Sequence, residues 1–212
     1  MNNTKGSVKS KIVLIGDYGS GKTSFIHRLV FNSFDREHIP TIGAAINEVR
    51  LDKNNYTFWD TAGQERYHAL VRLYYRHCHC VLIFYNMNDQ ASRSNIVNWI
   101  DTLNSVADEA VPVVIIGSKS DIAGAQELDL NDAPIAEAIS KINLVANITI
   151  SNKLDSQDDI FKKLNCSLEK VTEFARSQLR PEEIPIIHES PGYFEYAINF
   201  FTGVLSTYCN IA

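Results

Sequence analysis

The stretch that most constrains this chain is Lys11-Ile12-Val13-Leu14-Ile15-Gly16-Asp17-Tyr18-Gly19-Ser20-Gly21-Lys22-Thr23. A continuous apolar run from Ile12 to Ile15 predicts a buried strand. The run passes straight into Gly16-x-x-x-x-Gly21-Lys22-Thr23, and Phe25, Ile26 and Leu29 follow at helical spacing. A phosphate-binding loop requires that setting, between a strand and a helix. Glycine lets the backbone curl until successive N–H groups converge on phosphate oxygens. The helix from about Lys22 adds the positive end of its dipole. The pattern places Gly16, Asp17, Tyr18, Gly19, Ser20, Gly21, Lys22, Thr23 and Ser24 around the phosphates. Lys22 reaches the β- and γ-phosphates, and the Thr23 hydroxyl ligates Mg²⁺. A turn that merely joins strand to helix has no need of the Lys-Thr pair. The stretch predicts a nucleoside-phosphate site.

Composition narrows the partners. A net charge of −5 over 212 residues argues against nucleic acid, which calls for a basic face. The cysteines Cys78, Cys80, Cys166 and Cys209 are too few and too scattered for a disulfide framework, which predicts a reducing compartment. Residues 1–10 are polar and predict neither a signal peptide nor a myristoylation site. No uncharged stretch is apolar enough to predict a membrane span.

Strand and helix patterns alternate after the phosphate loop. The first helix fades near Phe31, and 32–43 reads as a loop containing Pro40-Thr41. Strands are predicted at 46–51 and 56–60 as a hairpin, then a loop and helix over 61–76. Further strands fall at 80–85, 111–117 and 144–150, and helices at about 92–106, 132–142 and 156–179. Asn131 or Asp132 caps the helix that carries Pro134 in its first turn. This alternation predicts an α/β fold, a mostly parallel sheet with helices on both faces and the ligand over the carboxyl ends of the strands.

A second phosphate-site element is Trp59-Asp60-Thr61-Ala62-Gly63-Gln64-Glu65. A carboxylate at a strand end, as Asp60 is expected to be, holds Mg²⁺ through water opposite Thr23. The Gly63 N–H suits a γ-phosphate, and the amide of Gln64 suits orienting a water. Alone, this segment reads equally well as a strand running into a helix cap.

Taken in order, these motifs resemble the small GTPases of the Ras superfamily, and within it the Rab family. The resemblance covers about residues 9–179 and rests on Gly16–Thr23, Pro40-Thr41-Ile42-Gly43, Trp59–Glu65, Lys119-x-Asp121 and Ser151-Asn152-Lys153. The Rab character comes from Asp60-Thr61-Ala62-Gly63-Gln64-Glu65-Arg66-Tyr67 and Leu73-Tyr74-Tyr75-Arg76. It implies the three-layer small GTPase (P-loop NTPase) fold, six strands with one antiparallel, and GTP or GDP bound with Mg²⁺. It also implies that Thr41 joins Thr23 and Asp60 around the metal and that Gln64 is catalytic. Phe34 packs near base and ribose, Lys119 lies along the guanine ring, and Asp121 accepts from guanine N1–H and its amino group. Adenine offers neither donor there, so one acidic acceptor discriminates strongly. Ser151, Asn152 and Lys153 match the loop whose backbone meets the guanine oxygen.

The chain also departs from the family. Ser118 stands where the base-recognition motif usually begins with Asn; it offers less hydrogen bonding and predicts weaker guanine binding. Tyr18 occupies a position usually held by a small residue, facing the γ-phosphate, and predicts slow hydrolysis. Ala44-Ala45-Ile46 replaces the usual residues after the first switch, and the central strand ends Tyr85-Asn86 rather than Tyr-Asp. His77-Cys78-His79-Cys80 carries metal-ligating residue types. Strand alternation is expected to send the two Cys one way and the two His the other, so the segment reads as a strand entering the core.

The expected layout is a flexible N-terminus over 1–8, a GTPase domain over 9–179 and a variable tail over 180–212. Pro181 and Pro185 break the last helix, and Ala197, Ile198, Phe201, Val204, Leu205 and Tyr208 recur at the spacing of an amphipathic helix. Cys209-Asn210-Ile211-Ala212 fits a C-a-a-X prenylation pattern, with Cys209 the lipidated residue. The resulting expectation is a nucleotide-dependent switch in vesicle trafficking at the cytoplasmic face of an internal membrane. It is read by an exchange factor, an activating protein and effectors through its switch regions, and attached to the membrane by its tail. A GTP-binding scaffold with negligible hydrolysis is the alternative from another class, and an ATP-using phosphate-loop enzyme fits the first motif alone.

Overall fold

Side-chain alternation along three central strands sets the architecture. The computed structural model describes residues 8–35, 40–51, 54–63, 74–106 and 111–178. In β1 (Lys9–Gly16) Ile12 and Leu14 enter one core, and Val13 and Ile15 the other. β4 (Cys80–Asn86) and β5 (Pro112–Ser118) divide their side chains in the same way. Strands buried on both faces read as continuous apolar runs, the pattern in the sequence.

One core is closed by α1 (Lys22–Phe31) through Phe25, Ile26 and Leu29, and by α5 (Gln157–Gln178) through Ile160, Leu164, Leu168 and Val171. The other is closed by α3 (Ile96–Val106) and α4 (Ala133–Ile139) through Ile96, Ile100, Leu103, Ile135 and Ala138. With β2 (Ala44–Leu51), β3 (Asn54–Thr61) and β6 (Asn143–Thr149), the sheet has order β2-β3-β1-β4-β5-β6. Only β2 runs antiparallel, paired with β3 from Ala44 opposite Thr61 to Leu51 opposite Asn54. Helices on both faces of this six-stranded, mostly parallel sheet are as the sequence predicts. Registers that place Leu14 beside Asp60, Gly16 beside Phe84 and Asn86 beside Ser118 bring the carboxyl ends of four strands to one edge.

Three local expectations are corrected. The helix predicted from Ser92 begins earlier, at Gln90, because Asp89 caps it by accepting the Ala91 N–H at 2.9 Å, and it is divided at Asn95 into α2 (Gln90–Ser94) and α3. α4 ends at Ile139 rather than Ile142; Asp132 holds the cap position in extended backbone, without a side-chain capping bond. Finally, Cys78 and Cys80 face opposite cores, because the strand begins only at Cys80 and His77 sits at φ 55°. Strict alternation therefore does not extend back through residue 77. Burial pushes the Cys78 thiol up to about 11, and the Cys80 thiol higher still. His79 instead accepts the Lys11 backbone N–H through Nδ1 at 2.9 Å.

Candidate nucleotide site

A cavity of about 480 Å³ opens over that carboxyl edge, where an open α/β sheet places its ligand. Its floor is the phosphate loop. Gly16 runs at φ 134°, and a Cβ there would stand 2.2 Å from the Phe84 carbonyl oxygen, so the β1–β4 contact admits only glycine. Tyr18, Gly19, Gly21, Lys22, Thr23 and Ser24 line the cavity. Gly16, Asp17 and Ser20 support it from behind. The Lys22 ammonium curls back to donate to the Gly16 and Asp17 carbonyls at 2.7 and 2.9 Å, and to the Ser20 hydroxyl at 3.4 Å. Burial pulls its pKa down to about 8, with Asp60 and Asp17 opposing.

Behind the loop, the Asp17 carboxylate accepts from Asn95 Nδ2 and, at 2.9 Å, from the Trp99 indole N–H. The break between α2 and α3 puts Asn95 at that junction. Neither partner carries a motif signal in the sequence.

The metal-binding expectation is tested by the oxygens themselves. The hydroxyls of Thr23 and Thr41 lie 3.0 Å apart, and Thr41 donates to Asp60 Oδ2 at 3.5 Å. Asp60 Oδ1 is buried without a hydrogen-bond partner among the described residues. Burial raises the Asp60 pKa, opposed by the Thr23 hydroxyl, the Lys22 charge and the Thr41 hydroxyl. Two hydroxyls and a carboxylate with an open lone pair form an all-oxygen set suited to a hard divalent cation. Gly63 lines the cavity too, pressed so close that a Cβ would meet the Tyr18 nitrogen at 2.6 Å and the Asp17 carbonyl at 2.7 Å. Gln64 and Cys209 lie outside the described residues.

At the far end Phe34, Lys119, Asp121, Asn152 and Lys153 line the wall. Ser151 stands behind Asp121 and donates to its Oδ1 at 2.6 Å, fixing the carboxylate. Lys119 adopts φ 64°, rare for a non-glycine residue, at the turn out of β5. Burial lowers its pKa, against Asp89 and Asp121. Ser118 is not among the residues lining the cavity; fully buried, its hydroxyl donates its one proton to the Ser20 carbonyl at 2.6 Å, with the Tyr85 carbonyl 3.1 Å away.

Pro40 and Thr61, from the motifs that carry Thr41 and Asp60, also line the wall, where the sequence reading missed Asp35 and Ile122. It also missed Arg28, which donates from Nε to the Asn152 carbonyl at 2.9 Å and from a terminal nitrogen to the Lys153 carbonyl at 3.2 Å. Arg28 sits in the last turn of α1. Nothing in its spacing announces a partner on a loop so distant in the chain.

The fold and this cavity define a nucleoside-phosphate-binding protein of the small GTPase class. A model of the Ras family matches residues 11–177. Ras-related protein Rab-31 of Rattus norvegicus is 34% identical over 153 residues, 70% of this chain and 77% of that protein. Ras-related protein RABF2b of Arabidopsis thaliana is 37% identical over 131 residues, 60% of this chain and 66% of that protein. A Ras and EF-hand domain-containing protein of Danio rerio is 39% identical over 120 residues, 55% of this chain but only 18% of that protein. The chain belongs to the Ras family, as a divergent Rab-like small GTPase. Among curated relatives it matches, it thus spans from less than a fifth to about three quarters of their length.

Proposed function

We propose that the protein binds GTP and GDP in this cavity and acts as a nucleotide-dependent switch in vesicle trafficking, hydrolysing GTP slowly. The observation that supports this best is the convergence of segments far apart in sequence on one cavity. Lys22 and Thr23, Thr41, Gly63, Lys119 and Asp121, and Asn152 all line it.

Each residue has a task there. Lys22 exchanges carbonyl partners for β- and γ-phosphate oxygens, and the phosphate-loop N–H groups hold the rest. Asp121, held by Ser151, accepts the two guanine donors, while Lys119 and Phe34 enclose base and ribose. Thr23, Thr41 and Asp60 would hold Mg²⁺, which neutralises charge on the β- and γ-phosphates. Gln64 orients the attacking water, and the Gly63 N–H meets the γ-phosphate. Tyr18 is 65% exposed and lines the cavity wall; in this reading its phenol ring crowds the space that the water and an activating protein's finger both need. Transfer of a phosphoryl group depends on positioning and charge stabilisation, so an obstacle there is costly.

Partners follow from the same geometry. Loss of the γ-phosphate releases the segments carrying Thr41 and Gln64, the change that exchange factors, activating proteins and effectors read. Ile42 and Ile46, just after Thr41 in the chain, stand exposed and offer aliphatic contacts. Among the described residues no helix is long and apolar enough to cross a membrane. Attachment to the cytoplasmic face of an internal membrane is assigned to the tail, through prenylated Cys209 and the stripe from Ala197 to Tyr208. One lipid chain binds marginally, so the stripe is the second signal.

The test is the nucleotide released when the purified, unexchanged protein is denatured. Near-stoichiometric GDP or GTP is expected. Adenine nucleotides, or a guanine complex that ATP displaces, would contradict the reading. GTP that persists without turnover in the presence of an activating protein would favour a scaffold with negligible hydrolysis, a reading to which exposed Tyr18 lends weight.

A further inference from the structure

Ser118 and Asn152 approach the phosphate loop from different strand ends and meet at Gly21. Ser118 donates to the Ser20 carbonyl at 2.6 Å, and Asn152 Nδ2 donates to the Gly21 carbonyl at 3.0 Å. A Cβ placed on Gly21 would stand 3.2 Å from both Asn152 Nδ2 and Ser118 Oγ, so both side chains share one small space. The short serine fills little of that space, and the asparagine amide occupies the rest. A carbonyl only accepts, so Nδ2 must face Gly21 and Oδ1 must face away. That Oδ1 is buried without a hydrogen-bond partner among the described residues, on a side chain only 5% exposed. Burying an unpartnered acceptor is unfavourable, and the bond to Gly21 is what offsets it.

The rest of the loop is fastened elsewhere: Ser151 bonds Asp121, and Arg28 holds the Asn152 and Lys153 carbonyls. The Asn152 amide alone among these contacts reaches the residue directly before Lys22.

We propose that Asn152 is a positioning residue that couples the base-binding loop to the phosphate loop, supplying beside Gly21 the amide that Ser118 lacks. The two ends of the nucleotide are then held by one linked unit. This rests on the guanine-nucleotide reading above. It replaces the expectation that Ser118 by itself weakens binding, because the space a longer side chain would take at 118 is already filled.

The test is stopped-flow release of a fluorescent GDP analogue from the full chain. Asn152→Ala should release it roughly tenfold faster, the loss of one buried bond. Asn152→Asp keeps the size but cannot donate and sets a carboxylate against the Gly21 carbonyl, so its release should be at least as fast as from Asn152→Ala. Ser118→Asn alone should also speed release, because two amides then compete beside Gly21. The double variant Ser118→Asn with Asn152→Ala should return to within about threefold of wild type, a non-additivity that independent structural damage would not produce. Release from Asn152→Ala and Asn152→Asp at the wild-type rate would overturn the coupling. So would a double variant at least as fast as the product of the single effects. A wild type that holds no guanine nucleotide would instead overturn the functional reading itself, and the coupling with it.

Discussion

The Trp99 indole N–H donates to the Asp17 carboxylate at 2.9 Å, tying helix α3 to the phosphate loop across the molecule. Asn95 supplies a second donor to the same oxygen. The loop between β1 and α1 is therefore braced from behind as well as by its own backbone. Trp99 is also a core residue, 7% exposed, so one side chain serves packing and positioning together.

Trp99→Phe separates those roles, since it keeps most of the ring and removes the donor. A hydrogen bond to a charged group contributes about 1.5–3 kcal/mol, so urea denaturation of the nucleotide-loaded variant should show a loss on that scale. Unchanged stability together with unchanged nucleotide release would remove the brace from the account.

Gly63→Ala tests the close approach of the second switch to the phosphate loop. A methyl group would overlap backbone atoms of Asp17 and Tyr18, and backbone cannot step aside as a flexible side chain can. The segment must retreat, and misplacement of about 1 Å at a positioning site can cost about 10²-fold in rate. GDP affinity should change little, while single-turnover GTP hydrolysis falls on that scale. Hydrolysis at the wild-type rate would show that the contact is not used.

The Cys78 thiol predicts an alkaline weakness. Its pKa is raised from 9.0 to about 11 by burial, with Lys11 opposing. The folded state therefore keeps a proton that the unfolded chain loses. The stabilising contribution is complete below pH 9 and is lost as pH rises from 9 towards 11. One pH unit within that window is worth about 1.4 kcal/mol. Urea denaturation at pH 8 and pH 10 should show a loss in wild type larger by about 1 kcal/mol than in Cys78→Ala. Equal losses in both would mean that Cys78 ionises freely in the folded protein.

Most of this fold was readable because it rests on local pattern. Apolar runs at Ile12–Ile15 and Cys80–Tyr85 mark strands covered on both faces, and the Lys22-Thr23 pair marks the loop that connects β1 to α1. Expectations failed where a single polar residue redirected the chain: Asp89 starts a helix early, and His77 in left-handed backbone breaks the side-chain alternation expected across residues 77–80. The site was legible where chemistry is written into short motifs, as at Lys119 and Asp121. It was not legible where contacts depend on distant side chains. Asn152 reads as one residue of a backbone-contacting loop, and nothing in the spacing of Trp99 or Arg28 announces a polar partner. Their second roles exist only once the sheet brings residues 17, 28, 99 and 152 to one edge.

In the proposed guanine-nucleotide switch, Tyr18 restrains hydrolysis. The most direct test of this restraint is single-turnover GTP hydrolysis by wild type, Tyr18→Ser and Tyr18→Gly, each with and without a matched activating protein. Tyr18 is exposed at the cavity wall, so its removal should leave the fold intact. A finger residue is worth about 10³–10⁵ in rate across the family, so unblocking its path should give the larger gain when the activating protein is present. The account predicts that both variants hydrolyse GTP at least about tenfold faster than wild type under that condition. Wild type as fast as Tyr18→Ser in both conditions would contradict it, and a slower variant would show that the tyrosine assists catalysis.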